Sequence, residues 1–426
     1  MAGSRLTTLI FIGMVLGIAV GYACSITWPD PQTAKDIAGY IALVSDIFLR
    51  LIKMIIAPLV FSTLVVGIAH MGDTASVGRV GGKALLWFVG ASFCSLLLGL
   101  VLVNFLQPGH NLNLPLPDAG AGTGLKAASL SLKEFVTHLV PKSAVEAMAN
   151  NEILQIVVFS IFFGVALASL GEKGQFLAKG IEGVADVMLK VTGYVMLFAP
   201  VAVFAAIAAT ITTQGIGVLV TYGKFMLMFY FGLFCLWMLL MGVGTLLVGT
   251  GGISRLVNLI KEPFVLAFST ASSEAAYPKL LSNLERFGVP NKITSFVLPM
   301  GYSFNLDGSM MYCTFAVMFI AQAYNIPLTW TQQLTMLLLL MVTSKGMAGV
   351  PRASLVVISA TLSQFNIPEA GLLLIIGIDQ FLDMGRSATN VLGNSIATVA
   401  VAKWEGQLTL EDQRLDHMPG AAAPAE

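Results

Sequence analysis

Apolar residues in the first 250 positions fall into six long runs, near residues 6–26, 38–69, 84–106, 153–170, 184–212 and 217–249, bounded by charged residues, glycine or proline. About 20 apolar residues at 1.5 Å each match a hydrocarbon core of roughly 30 Å, so each run predicts a membrane-crossing helix. The second run exceeds one span and contains Arg50, Lys53 and Pro58, which predicts a tilted helix with snorkelling cations. The first follows Arg5 as a secretory signal would, but Gly21-Tyr22-Ala23 before Cys24 is a poor processing site, so this helix is expected to be retained. Between the third and fourth runs, Gln107 to Asn151 reads as an extracytoplasmic surface loop.

After Gly249 the apolar runs become too short to cross. Leu256 to Phe268 would reach only about 20 Å as a helix. It leads into Ser269-Thr-Ala-Ser-Ser-Glu274, and a second short run ends at Lys279 and Arg286, predicting a helical hairpin that enters and leaves on the cytoplasmic side. Leu334 to Val342, the tip Thr343 to Pro351 and Ala353 to Leu362 repeat the device, with flanking loops that lack Lys and Arg, so this hairpin is expected to enter from outside. Each hairpin precedes a helix carrying polar groups, a pattern of two inverted units that points to a transporter site near the midplane.

Composition places these elements in a membrane. Of 426 residues, 56% are hydrophobic and 11% charged, with mean hydropathy +0.84, where soluble proteins carry about 25% charged residues. Roughly 240 apolar residues suffice for eight crossings at about 20 each. Lys+Arg and Asp+Glu are balanced at 23 each, which leaves no basic footprint for a nucleic-acid partner. Cys24, Cys94, Cys235 and Cys313 lie apart in apolar sequence and read as core residues rather than redox or metal groups. Short loops bearing Arg5, Arg79 and Lys83, Lys173 and Lys179, and Arg255 and Lys261 alternate with loops nearly empty of positive charge, which predicts a cytoplasmic N-terminus.

The last helix, about Gly371 to Trp404, holds Asp379, Asp383, Arg386, Ser387, Asn390 and Asn394. At 100° per residue these six share an arc of about 100°. Charged groups at membrane depth cost about 2.5–3.5 kcal/mol each on insertion scales, so the stripe requires partners or a function. A structural Asp–Arg pair is one reading. The other is a binding face, with the Arg386 fork suited to a carboxylate and Asp383 to an ammonium group, a pairing that describes an acidic amino acid.

Pro299, Gly301 and Gly308 predict a break in the seventh helix, which would leave backbone carbonyls beside Asn305 and Asp307, a cluster for a small cation or a proton. In the first hairpin Ser272 and Ser273 offer hydroxyls to a ligand, and Glu274 is a candidate proton carrier or merely a helix cap. Gly346, Gly349 and Pro351 give the second hairpin a flexible gate, with Lys345 and Arg352 as gate residues or headgroup anchors. Gly78 to Ala84 lacks the gap and hydroxyl of a P-loop, neither G-x-S-x-G nor H-E-x-x-H occurs, and the four histidines are scattered. The sequence offers no site for ATP, hydrolysis or a bound metal, and a transporter rather than an enzyme is expected.

The segments Ser269 to Glu274, Gly301 to Ser309, Thr343 to Pro351 and Asp383 to Asn390, with Phe48 to Pro58 in the second run, resemble the dicarboxylate/amino acid:cation symporters, a group that includes bacterial proton/glutamate symporters and excitatory amino acid transporters. The resemblance implies an all-α polytopic membrane protein with eight transmembrane helices and two re-entrant hairpins, assembled as a homotrimer and working as an elevator. Scaffold helices 1 and 2 would occupy 1–78, transport-domain helix 3 79–107, the extracytoplasmic loop and scaffold helices 4 and 5 108–216, the remaining transport domain 217–403, and a disordered cytoplasmic tail 404–426. It places the substrate side-chain carboxylate on Arg386 and its amino group on Asp383. Ser273, Ser309, Val350, Ser387 and Asn390 would complete the substrate site, and Asn305, Asp307, Asn390 and Asn394 the cation region.

Leu306 and Asn394 depart from the methionine and aspartate usual in sodium-coupled members and favour protons, with Glu274 the first carrier and Asp379 and Asp307 alternatives. Ala271 replaces an arginine of archaeal relatives, a charge that Arg352 is placed to supply. Asp383 favours glutamate or aspartate over C4-dicarboxylates. The expectation is therefore a bacterial inner-membrane symporter with cytoplasmic termini and no cofactor, importing L-glutamate or L-aspartate with protons, sodium being the alternative ion. A symporter of succinate, fumarate or malate, and an anion channel, are the alternatives.

Overall fold

The computed structural model describes residues 2–69, 74–110, 137, 140–214, 222–344, 353–376 and 378–410. Among them all regular structure is helical: α1 (Ala2–Thr27), α2 (Pro31–Ala69), α3 (Thr74–Leu106), α4 (Ala144–Ala149), α5 (Ile153–Ser169), α6 (Gln175–Met196), α7 (Ala199–Gln214), α8 (Gly223–Thr270), α9 (Ser273–Phe287), α10 (Asn291–Phe304), α11 (Asp307–Ala323), α12 (Trp330–Thr343), α13 (Ala353–Gln364), α14 (Leu373–Ile376) and α15 (Asp379–Trp404). Five helices among these residues are long and apolar enough to cross a membrane.

The predicted runs appear with three corrections. Residues 184–212 are two helices, α6 and α7, bent by 54° where the chain passes through Leu197 and Phe198. Pro200 has no N–H to return to Met196, so the ladder stops there. The run 217–249 does not end before the first hairpin but continues through a kink at Gly249 (φ 73, ψ 172) into its incoming arm. The disordered tail expected from residue 404 starts as ordered structure, since Leu408 and Leu410 pack on the core and Thr409 donates its N–H to Gly288 O at 3.1 Å. Residues 411–426 lie outside the described residues.

Small residues set the closest helix pairing, that of α1 with α7. A Cβ added at Gly13 would sit 2.5 Å from Pro200 O, at Gly17 2.7 Å from Phe204 O, and at Gly21 2.7 Å from Ala208 O. The four-residue spacing places three glycines on one face, so the backbones meet without side chains between them. α2 begins under an Asp30 cap, whose carboxylate accepts from the Thr33 N–H at 2.8 Å and its hydroxyl at 2.7 Å. It then packs on α5, α6 and α7.

A second group surrounds α15. α3 packs chiefly on α11 and also touches α12 and α15, although seven or more helices separate it from them in sequence. α8, α9, α10 and α11 all contact α15, whose residues from Met384 to Ala402 are buried without interruption. The two groups meet where α10 lies against α2 and α5.

Gly17→Leu is expected to overpack the α1–α7 contact and cost about 1–3 kcal/mol. Thermal unfolding in detergent should show a lowered midpoint for Gly17→Leu and none for Gly90→Ala, where a Cβ meets open space.

Candidate functional site

The stripe predicted on the last helix is present on α15 and mostly buried, with Asp379, Arg386, Ser387, Asn390 and Asn394 each at most 5% exposed. Arg386 Nη2 stands 3.1 Å from Asp379 Oδ1 and 2.9 Å from Asp383 Oδ1, and its Nε donates to the same Asp383 oxygen at 3.2 Å. The guanidinium lies over the Tyr312 ring at 4.0 Å, while the Tyr312 hydroxyl donates to Asp379 Oδ1 at 3.1 Å. A charge taken out of water needs such opposite charges and a polarisable face. Nη1, equally buried, has no hydrogen-bond partner among the described residues. The Asp383 side chain remains 31% exposed. One edge of the fork is thus committed to the protein, and the other is an unused donor.

The break predicted near Pro299 falls at Asn305 and Leu306, between α10 and α11. There Asn305 Nδ2 donates to Asp307 Oδ2 at 3.1 Å and to Asn394 Oδ1 at 3.2 Å, while Ser95 of α3 donates to Asp307 Oδ1 at 3.1 Å. Asn390 Oδ1 accepts from the Gly308 N–H at 3.0 Å, and its Nδ2 lies 3.5 Å from Ser309 Oγ. Gly308 allows this approach, because a Cβ would stand 2.6 Å from Arg386 O. Asn305 Oδ1 and Asn394 Nδ2 are buried without hydrogen-bond partners among the described residues. Asn305, Asp307, Ser309, Asn390 and Asn394 therefore form one cluster, joined to Arg386 through α15.

At the first hairpin tip, Ala271 takes the left-handed conformation (φ 50) and Ser272 caps α9, accepting from the Ala275 N–H at 3.4 Å. Ser272, Ser273 and Glu274 are half-buried. Glu274 does not join the arginine cluster: it faces a crevice lined by Ile56 and Val60 of α2, Ile153 of α5, and Tyr277, Pro299 and Tyr302. The contact surface between the two helix groups therefore carries this acid. In the second hairpin α12 and α13 pack together. Gly346, Gly349, Val350, Pro351 and Arg352 lie outside the described residues.

Four contributors escaped the sequence reading. Tyr312 was one aromatic among several in an apolar helix, and Ser95, three residues after Ser92 on α3, was the only hint that α3 faces Asp307. Tyr230 and Trp237 of α8 hold α15, the tyrosine hydroxyl donating to Phe381 O at 2.5 Å and the indole to Thr389 Oγ1 at 2.7 Å. Their seven-residue spacing is the signal available, because two helical turns return both to one face.

The sequence matches the model of the sodium:dicarboxylate symporter family over residues 6–404. It is 42% identical over 410 residues to the proton/sodium-glutamate symport protein of Bacillus caldotenax, covering 94% of this chain and 95% of that one. The protein of the same name from Geobacillus stearothermophilus gives equal figures. The C4-dicarboxylate transport protein of Citrifermentans bemidjiense is 43% identical over 400 residues, covering 92% and 88%. With the polar stripe, the broken helix and the serine-rich tip all lying within the matched span, the chain belongs to the sodium:dicarboxylate symporter family.

Proposed function

We propose that the protein imports acidic amino acids, L-glutamate or L-aspartate, in symport with protons. One observation carries the reading: a buried arginine keeps one terminal nitrogen unpartnered beside a half-exposed aspartate. The free Nη1 suits a side-chain carboxylate, and Asp383 suits an α-ammonium group. Ser272, Ser273, Ser309, Ser387 and Asn390 supply the remaining polar contacts, with Val350 and the second hairpin closing over the substrate. The names of the glutamate-transporting relatives agree with this. Import of C4-dicarboxylates is the second reading, because relatives so named are equally similar, but a dianion placed against Asp383 meets a like charge.

The coupling region of the proposal is Asn305, Asp307, Asn390 and Asn394, and the first proton carrier is Glu274, with Asp379 and Asp307 as alternatives. Leu306 has no side-chain donor atom for sodium and Asn394 no charge. The proposed elevator has α3 and α8–α15 moving against a scaffold of α1, α2 and α5–α7, in a trimer of eight-helix, two-hairpin subunits in a bacterial inner membrane with both termini cytoplasmic. The packing of α3 with α11 rather than with its sequence neighbours supports that division. Protonation of Glu274, at the seam between the groups, would remove a charge from the surface that slides.

Arg386→Cys is expected to lower glutamate uptake by roughly thirtyfold or more, the loss of about 2 kcal/mol or more from one buried charged hydrogen-bonded pair. Size-exclusion profiles should be unchanged; retained uptake in proteoliposomes would place the carboxylate partner elsewhere. Asp383→Ser should lose glutamate and aspartate by at least about tenfold and spare succinate. Equal losses for all three substrates would make Asp383 structural.

Uptake should follow an inward proton gradient without sodium, and Glu274→Gln should abolish proton-driven accumulation while leaving substrate exchange. Strict sodium dependence with no response to the proton gradient would refute proton coupling and leave the substrate assignment standing.

A further inference from the structure

The basic residues Arg79 and Lys83 serve only as an orientation signal in the sequence, yet the structure gives them a partner. They lie one turn apart at the start of α3 and enclose the carboxylate of Glu405, just beyond the end of α15. Arg79 Nε stands 3.0 Å from Oε2 and 3.2 Å from Oε1, and Lys83 Nζ 2.7 Å from Oε1. Lys83 also donates to Trp404 O at 2.6 Å, and the Trp404 ring meets Trp87 edge-on at 5.6 Å. Although it follows the last helix, the Glu405 side chain is only 3% exposed. Burial works to raise its pKa, but the hydrogen bonds and charges of Lys83 and Arg79 outweigh that and hold it below the ordinary value.

From this clamp the chain runs back across the base of the first hairpin. The Thr409 N–H donates to Gly288 O at 3.1 Å, immediately after α9. Gly288 has φ 121, and a Cβ there would collide with the Thr409 carbonyl, so the strap lies directly on the hairpin's exit. The two hairpin arms are joined at the same level, where Arg255 of α8 donates to Arg286 O at 3.2 Å. Leu408 and Leu410 pack against the core alongside. Residues 405–410 thus connect three pieces distant in sequence: the start of α3, the base of the hairpin and the end of α15.

We propose that Glu405 is a positioning residue, which through the Arg79–Lys83 clamp holds the 405–410 strap on the base of the first hairpin and fixes that hairpin against α15. A strap anchored at both ends resists sliding of α9 along α15, and these two helices are in contact. Its effect on transport rests on the proposed function, in which the Ser272–Ser273 tip and Arg386 act on one substrate. A hairpin free to slide would then mis-set the tip, weakening substrate capture while leaving the moving body able to cross.

Hydrogen exchange of the full-length protein without substrate tests the mechanical claim whichever substrate is correct. Glu405→Gln should speed amide exchange over residues 273–287 by about fivefold or more, with residues 199–214 unchanged. The effect should not add to that of the Arg79→Gln/Lys83→Gln pair, because all three residues act through one clamp. Thr409→Pro, which removes the N–H donated to Gly288 without touching the clamp, should give the same local acceleration. In uptake, Glu405→Gln should raise KM several-fold with Vmax within about twofold of the parent. Unchanged exchange over 273–287 in both Glu405→Gln and Thr409→Pro, or additivity of Glu405→Gln with the clamp pair, would overturn the proposal. Changed exchange with an unchanged KM would overturn its link to the substrate site.

Discussion

A guanidinium buried inside the protein is the constraint around which the site is arranged. Removing such a charge from water costs several kcal/mol even after relaxation, so Arg386 cannot stand in α15 without its surroundings being specified. Asp379, Asp383 and the face of Tyr312 supply that specification. Tyr312 belongs to α11 and must arrive in register, which the Gly308 approach to the Arg386 backbone permits and the Asn390–Gly308 hydrogen bond enforces. Tyr230 and Trp237 of α8 hold α15 through Phe381 O and Thr389 Oγ1. Among the described residues compensation stops one nitrogen short, at Nη1. On the proposed reading, that nitrogen is left for the substrate carboxylate.

The interrupted helix answers the same problem for the neighbouring cluster. A continuous helix consumes its own carbonyls and leaves only side chains to meet a ligand. Breaking α10 from α11 at Asn305 and Leu306 puts Asp307 at the first position of a new helix, where its carboxylate is met by Ser95 and Asn305. Gly393 of α15 has no side chain, and the Asp307 carboxylate occupies the space a Cβ would need. The acid accepts there from a hydroxyl and an amide.

Much of this was legible in the sequence because membrane insertion penalises polar residues so heavily that those present stand out. Asp379, Asp383, Arg386, Asn390 and Asn394 declared themselves by periodicity alone, and the break at Asn305 by its proline and glycines. Partners of ordinary apolar or aromatic type did not stand out. Tyr312, Tyr230 and Trp237 cost little to place in a bilayer, so nothing in their context marks them until α8, α11 and α15 are brought together. The bend between α6 and α7 was missed because apolar composition is continuous through Leu197 and Phe198. Only the missing N–H of Pro200 breaks the ladder, and hydropathy does not register a hydrogen bond.

Glu274 separates two demands that the sequence left merged. Its place beside Ser272 and Ser273 puts it at the hairpin tip, but its side chain lines a crevice with residues of α2, α5, α9 and α10. Helix geometry explains this. Ser272 serves as the cap of α9, so residues of the first turn project around the helix axis at 100° intervals and adjacent residues cannot share a face. The serines therefore remain at the tip, while the acid faces the surface on which one helix group would have to move past the other. A charge at the binding tip would act on affinity, whereas a charge at the seam acts on the energy of displacement. On the proposed reading, that placement lets protonation govern movement of the loaded domain without competing for the substrate's own ion pairs.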